Sequence, residues 1–301
     1  MQKIRLLAAT LFSVAFSIAL AGAQETLQSS DTPNPEDENS HDILYVEGTY
    51  TFDSDYTESK LGHVESIYSD FTYDHRFLIT GKWYFRGGLE YERFDFDGTN
   101  NGLPDKLQAT SVHLALEYVV KDHAGAGFEI DPGFYFQEGI SGDAFDFPWK
   151  GFVTFPLKKD KVFAVVALGG GLYQDPIVAP GGGIIWLISD DLRLQAVFPK
   201  PALVYQPNDD WEFRILGELN IASFRTDDVL TTERKLQLHN AVVQYSEDRA
   251  GLQISYNGFK PFKISLDGGY TVRREFDFFR ADQAKRTDPA PYVRVAVEAR
   301  F

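Results

Sequence analysis

Cysteine is absent from the 301 residues, and methionine occurs only at position 1. Without thiols there is no disulfide framework, no lipid-modified N-terminal cysteine, no thiolate nucleophile and no cysteine-ligated metal. Long apolar runs are missing too. Beyond residue 23 the nearest approaches are Val162 to Tyr173 and Gly181 to Ile188, whereas a helix needs about 20 apolar residues to cross hydrocarbon. A polytopic helical membrane protein is therefore excluded. A membrane-spanning form of this chain has to be a closed barrel, the other structure that satisfies its own backbone in lipid. Positive charge is scarce, with 29 Lys and Arg against 44 Asp and Glu. No basic cluster offsets that balance, so nucleic-acid binding is not expected.

The first residues carry export information. Lys3 and Arg5 precede an apolar run from Leu6 to Leu20, broken by Thr10, Ser13 and Ser17, and Ala21-Gly22-Ala23 follows. That order predicts a signal peptide over residues 1–23, cleaved before Gln24. Residues 24–41 contain Ser29, Ser30, Pro33, Pro35 and five acidic residues but almost nothing apolar. They cannot bury a core and predict a disordered periplasmic leader. Residues 42–301 then form one domain.

Within it, short segments alternate with period two and are punctuated by Gly, Asn, Asp and Pro. In Ser111 to Val120 the residues Val112, Leu114, Leu116, Tyr118 and Val120 oppose Ser111, His113 and Glu117. Trp211 to Ile221 and Phe262 to Arg273 repeat the pattern, and weaker examples fill the intervals. Several segments reach about 10 residues, enough for a tilted strand to cross hydrocarbon, where strands of a soluble sandwich run to about 5 or 6. Aromatics gather near segment ends, at Trp83 to Phe85, Phe94 and Phe96, Trp149 and Phe152, Trp211 and Phe213, and Phe276 to Phe279. Such ends suit the headgroup level. The fold class is all-β, a single antiparallel transmembrane β-barrel of about 14 strands, with 12 as the alternative. A soluble secreted β-sandwich, with the aromatics as its core, is the competing architecture.

Connections divide by length. Lys121-Asp122-His123, Lys158 to Lys161 and Ser189 to Asp191 suit periplasmic turns, while Asp53 to Gly62, Asp97 to Lys106, Glu138 to Pro148 and Arg280 to Ala290 suit outer loops. Simple counting leaves the long polar stretch Arg225 to Lys235 on the periplasmic side. Pro199-Lys200-Pro201 is the expected source of that misfit, because two prolines force a bulge or a turn.

The last ten residues, Tyr292 to Phe301, alternate strictly. Val293, Val295, Val297, Ala299 and Phe301 take one face, and Arg294, Glu298 and Arg300 the other. This segment resembles the C-terminal strand of bacterial outer-membrane barrels. The resemblance implies that Val293, Val295, Val297 and Phe301 form the signal read by the barrel-assembly machinery. A second likeness rests on Pro180-Gly181-Gly182, Ile184-Ile185-Trp186, Asp191-Leu192-Arg193-Leu194, Phe198-Pro199-Lys200-Pro201 and Tyr205. Val243-Gln244-Tyr245, Asp248-Arg249 and Gly268-Gly269-Tyr270 continue it. Together these segments are similar to an uncharacterised family of outer-membrane barrels of about this length. The likeness implies a bacterial outer-membrane location, with lipid and lipopolysaccharide as surroundings, and assigns no activity.

The polar parity carries both signs: Glu47, Asp70, Arg86, Glu90, Glu117, Arg193, Glu212, Arg214, Glu218, Asp267, Arg273, Arg294 and Glu298. These are the predicted lumen-facing charges. They either line a water-filled constriction that selects small solutes by charge or pair across the interior and plug it. The leading functional expectation is a passive channel or transporter for small solutes. A plugged structural or adhesive barrel acting through its outer loops is the alternative, and an outer-membrane hydrolase is a further one. The glycine runs Gly87-Gly88, Gly169 to Gly171, Gly181 to Gly183 and Gly268-Gly269 lack the helix and Lys of a phosphate loop and read as points of sheet curvature. Asp95 to Gly102 is oxygen-rich but lacks the acidic closure of a calcium loop. Of six histidines, only His113 clearly sits on a polar strand face, near Ser111. No catalytic residue, cofactor or metal ligand is assigned.

Overall fold

The computed structural model describes residues 40–97, 103–120, 123–227, 229–231 and 236–301. The expected signal peptide, residues 24–39 of the expected leader, residues 98–102 of the oxygen-rich loop, Lys121 and Asp122 of one turn, and residues 228 and 232–235 of the long loop lie outside them.

Period-two alternation places one parity on each side of a strand, and here it produces fourteen antiparallel strands. They are β1 (Ser40–Asp55), β2 (His63–Thr80), β3 (Trp83–Asp97), β4 (Lys106–Val120), and β5, which runs as His123–Ile130 and resumes as Gly133–Phe136. Next come β6 (Trp149–Lys158), β7 (Val162–Gly170), β8 (Val178–Leu187), β9 (Leu192–Val197), β10 (Ala202–Tyr205) and β11 (Trp211–Arg225). The last are β12 (Val242–Phe259), β13 (Phe262–Phe278) and β14, which runs as Gln283–Thr287 and then Ala290–Arg300. Each pairs with its neighbour in sequence. β14 then returns to β1 in a register from Ile43↔Arg300 to Thr51↔Tyr292, so the sheet has no free edge along that seam. β1 begins at Ser40, two residues ahead of the sequence-based domain start.

An even number of strands leaves both chain ends on one side, together with the short connections. This is called the turn end, and the opposite side the loop end. The Pro199-Lys200-Pro201 misfit resolves here. These residues connect β9 to β10 at the loop end, and the carbonyls of Pro201 and Pro199 accept from Gly217 and Leu219 of β11. One short strand, Ala202–Tyr205, is thereby added ahead of β11, and Arg225 moves to the loop end, as the length and polarity of the stretch it begins suggested.

The outward face is apolar. Phe71, Leu89, Val153, Val166, Ile215, Leu252, Leu266 and Val295 are each exposed. Trp83 lies 5.1 Å from Tyr118, Trp211 4.7 Å from Tyr256, and Phe262 6.4 Å from Phe301, ring to ring, in a girdle near the turn end. Rings of this kind anchor a barrel at the headgroup level. On β13 the outward apolar series ends at Tyr270 and Val272, and Glu275 and Asp277 beyond it stand clear of the band.

Strand lengths are uneven around the barrel. β2 and β12 have 18 residues and β13 has 17, well beyond the 9–11 or so that a tilted strand needs to cross a bilayer. β9 has 6 and β10 has 4. One half of the wall therefore rises past the apolar band at the loop end while the other half is low. Above the low part, Arg225 of β11 forms a parallel bridge with Phe136 of β5, so the tall strands close on themselves into a narrower upper ring.

Candidate functional site: the barrel interior

The narrowed ring is filled by its own side chains. Tyr68, Phe94, Phe96, Tyr135, Phe224, Tyr245, Phe276 and Phe278 pack into one buried apolar cluster with Tyr56, Leu61, Val64, Leu103, Leu107, Ala109, Val229 and Val243. Tyr245 sits at the centre, 4.9 Å from Phe94, 5.1 Å from Phe96 and 4.9 Å from Phe276, ring to ring. Two of these contacts are edge-on, an arrangement that ring quadrupoles favour. This corrects the sequence-based placement of Phe94, Phe96, Phe276 and Phe278 at the headgroup level. Phe94 and Phe96 share the inward parity of Arg86 and Glu90, a signal that was present in the sequence. Phe152 also turns inward, into a smaller cluster with Val165, Ala167, Ile185 and Val197 on the low wall. Trp83, Trp211 and Phe213 do face outward.

Below the apolar closure the interior is ionic, and twelve of the thirteen charges singled out as lumen-facing point into it. Three groups form. In the first, Arg294 Nη1 lies 2.7 Å from Glu218 Oε2 and 3.5 Å from Glu47 Oε2, and its Nε donates to Asp267. In the second, Glu212 accepts from Arg193 at 2.9 Å, Arg214 at 2.7 Å and Lys263 at 3.3 Å. In the third, Arg86 bridges Asp74 at 2.9 Å and Glu117 at 3.3 Å and donates to Glu129, while His113 Nε2 sits 3.0 Å from Glu90. Glu298 holds Arg300 at 2.6 Å near the turn end.

Arg273 is the exception. The register between β12 and β13 slips from Asp248↔Arg273 to Arg249↔Thr271. This bulge inverts the parity above it. Arg274, 1% exposed, takes the inward place and hydrogen-bonds Ser54, Ser66 and the Val64 carbonyl. Arg273 pairs instead with Asp248 at 2.9 Å on the other face.

Several inward charges escaped sequence reasoning. Arg249 reaches Glu247, Glu218 and Glu47, and Lys150 reaches Glu129. On β12 the alternation fades because Ser246 and Asp248, on the face opposite Glu247 and Arg249, are polar as well. Between Lys200, Arg214, Glu218, Lys263, Arg294 and Glu298 lies a cavity of about 110 Å³. That is room for several waters among polar partners. Ser111 donates to Glu90 at 3.0 Å, the same carboxylate oxygen that faces His113. The carboxylate therefore stands between them, and the imidazole is not placed as a base for that hydroxyl.

The fold is thus a closed fourteen-stranded β-barrel with an apolar exterior band and a charged interior. It is similar to an engineered form of TodX described as a monoaromatic hydrocarbon channel, at 11% identity over 96% of this chain and 95% of that one, TM-score 0.48. It is also similar to an outer-membrane channel from Pseudomonas putida F1, at 10% identity over 90% and 100%, TM-score 0.46. A FadL homologue of Pseudomonas aeruginosa matches at 10% identity over 96% and 95%, TM-score 0.44. No family model and no curated protein matches the chain. These are likenesses of barrels, and they transfer no substrate and no residue role.

Proposed function

We propose that this chain is a bacterial outer-membrane channel or transporter for small solutes, seen here in a closed conformation. The turn end faces the periplasm and the loop end the exterior. The carrying observation is the interior itself. Charged side chains of both signs line it beneath an apolar closure that belongs to the wall, with no separate plug domain among the described residues. Water-accessible space remains at the periplasmic side, beside Lys263 and Arg294. Rings of fixed charge select permeating ions and polar solutes by sign, and an apolar constriction gates by excluding water.

Val293, Val295 and Phe301 are exposed on the outward face of β14 at the closing seam, a placement open to an assembly factor. No enzymatic role is part of this reading. Its test is planar-bilayer recording on purified protein whose insertion is verified by a heat-dependent shift on a denaturing gel. The wild type is expected to give rare openings, and Tyr245→Ala, which hollows the apolar closure, frequent ones. Absence of current from both inserted proteins under several salts would support the second reading, a plugged structural barrel. The dense ion pairing of Arg294 and Glu212 favours that alternative. Fractionation into the outer membrane tests the location separately.

A further inference from the structure

The ionic group around Arg86 is unbalanced. Asp74, Glu90, Glu117, Glu129 and Asp131 place five carboxylates within it, while Arg76, Arg86 and Lys150 are its permanent cations. With His113 neutral, the buried group is short of two positive charges. Uncompensated buried carboxylates are costly, so they attract either protons or a cation.

Geometry favours the cation. His113 extends from β4, Glu129 from the end of the first segment of β5, and Asp131 from the break between the two β5 segments. One ligand atom from each lies within 4.8 Å of the others. Tetrahedral bonds of about 2.0–2.2 Å hold ligand atoms about 3.3–3.6 Å apart, so the site closes by up to about 1 Å when it takes the ion. Asp131 is 9% exposed and its Oδ1 has no hydrogen-bond partner. That oxygen points at the cluster, 3.7 Å from His113 Nε2. Glu90 stands 3.0 Å from the same nitrogen. The Oδ1 of Asp74 is likewise buried and without a hydrogen bond.

We propose that His113, Glu129 and Asp131, with Glu90 as a fourth ligand, bind one divalent first-row transition ion inside the barrel wall. One imidazole with carboxylates suits Zn2+ or Mn2+, and the lack of any sulfur donor excludes a soft-metal site. The ion ties β4 to the end of the first β5 segment and to the break that follows it, where the chain departs toward the loop end. It supplies the two missing charges. Glu129 gives up its Lys150 contact or shares the oxygen, and the second Asp131 oxygen, 4.0 Å from Lys150, can then take that ammonium.

The site stands independently of whether the barrel conducts. Protein purified in detergent and stripped with chelator is titrated separately with ZnCl2 and MnCl2, with MgCl2 and CaCl2 as comparisons. Bound metal is counted after dialysis, and the thermal midpoint is read by gel mobility. The expected result is one Zn2+ or Mn2+ per chain, a raised midpoint reversed by chelator, and at least tenfold weaker binding in Asp131→Asn. Should Asp131→Asn fail to fold, the immobilised Mn2+ resonance of the wild type and its loss in His113→Gln give the same reading. Two results overturn the proposal. One is equal binding by wild type and both variants. The other is a midpoint that rises on acidification but ignores Zn2+ and Mn2+, which would assign the missing charges to protons.

Discussion

Arg225 and Phe136 are joined by a parallel bridge between β11 and β5, strands that are not neighbours in the lower barrel. Around this bridge Arg225 donates to the carbonyls of Asp143 and Asn240 and lies over the ring of Tyr173 at 4.6 Å. Asn240 in turn donates to Asp143 at 3.0 Å. One guanidinium therefore fastens three loop-end segments over the low wall. Arginine suits this because its planar fork serves several acceptors while its face stacks on a ring.

If that clasp keeps the upper ring shut, Arg225→Ala should loosen the loop end without unfolding the barrel. The expected outcome is faster cleavage by an added protease within residues 137–148 or 171–177, with the gel-mobility shift of the folded barrel retained. An unchanged cleavage pattern would show that the apolar cluster alone closes the ring.

Buried and exposed ion pairs should differ sharply in weight. Arg294 serves Glu218, Asp267 and Glu47 inside the barrel, and Arg294→Met leaves three carboxylates without it. Breaking a buried pair from one side costs about 3–5 kcal/mol. Arg300→Met removes only the partly exposed contact with Glu298, worth about 0–1 kcal/mol. Urea unfolding in detergent or lipid, followed by tryptophan fluorescence, compares the two. Equal midpoints would mean that water already screens the interior around Arg294.

Alternation made the barrel legible because lipid and lumen impose opposite chemistry on successive residues. Where that contrast fails, so does the reading. Above Val272 both faces of β13 carry charge, and a bulge moved Arg274 inward in place of Arg273. At Phe94 both environments are apolar, so parity alone could separate the girdle from the closure, and at Phe276 the bulge reversed even that signal. The strand count depended on Pro199 and Pro201, whose missing N–H groups do not prevent their carbonyls from continuing the ladder to β11. The grouping of His113 with Glu129 and Asp131 was beyond reach, since it needs the β4–β5 register and the break after Ile130.

Gly183 tests the curvature reading of the glycine runs. A Cβ there would collide with the Ala196 carbonyl and the Cα of Val197, where β8 pairs with β9. At Gly48 nothing lies within 4 Å. Gly183→Ala is expected to destabilise the barrel by about 1–3 kcal/mol through overpacking, and Gly48→Ala to leave the thermal midpoint within a degree or two of wild type. Comparable midpoints would argue that β8 and β9 can slide apart without cost.

Asp277 gives the loop end a pH dependence. It stands beyond the apolar band, where burial, followed by the negative charges of Glu275 and Asp175, pushes its carboxyl from an ordinary 3.8 up to about 6, against the opposing pull of Arg286. The folded state thus binds this proton more tightly than the unfolded chain does. Its stabilising contribution is complete below about pH 3.8 and is lost as pH rises through about 6. Asp175 belongs to the segment between β7 and β8, whose backbone N–H at that residue donates to Gln244 of β12. Ionised Asp277 therefore repels the segment that covers the low wall. Protease cleavage within residues 171–177 should be slow at pH 5 and faster at pH 7.5, after correction for the protease's own profile. Asp277→Asn should hold the slow rate at both values, and a variant that keeps the wild-type pH response would remove Asp277 as its source.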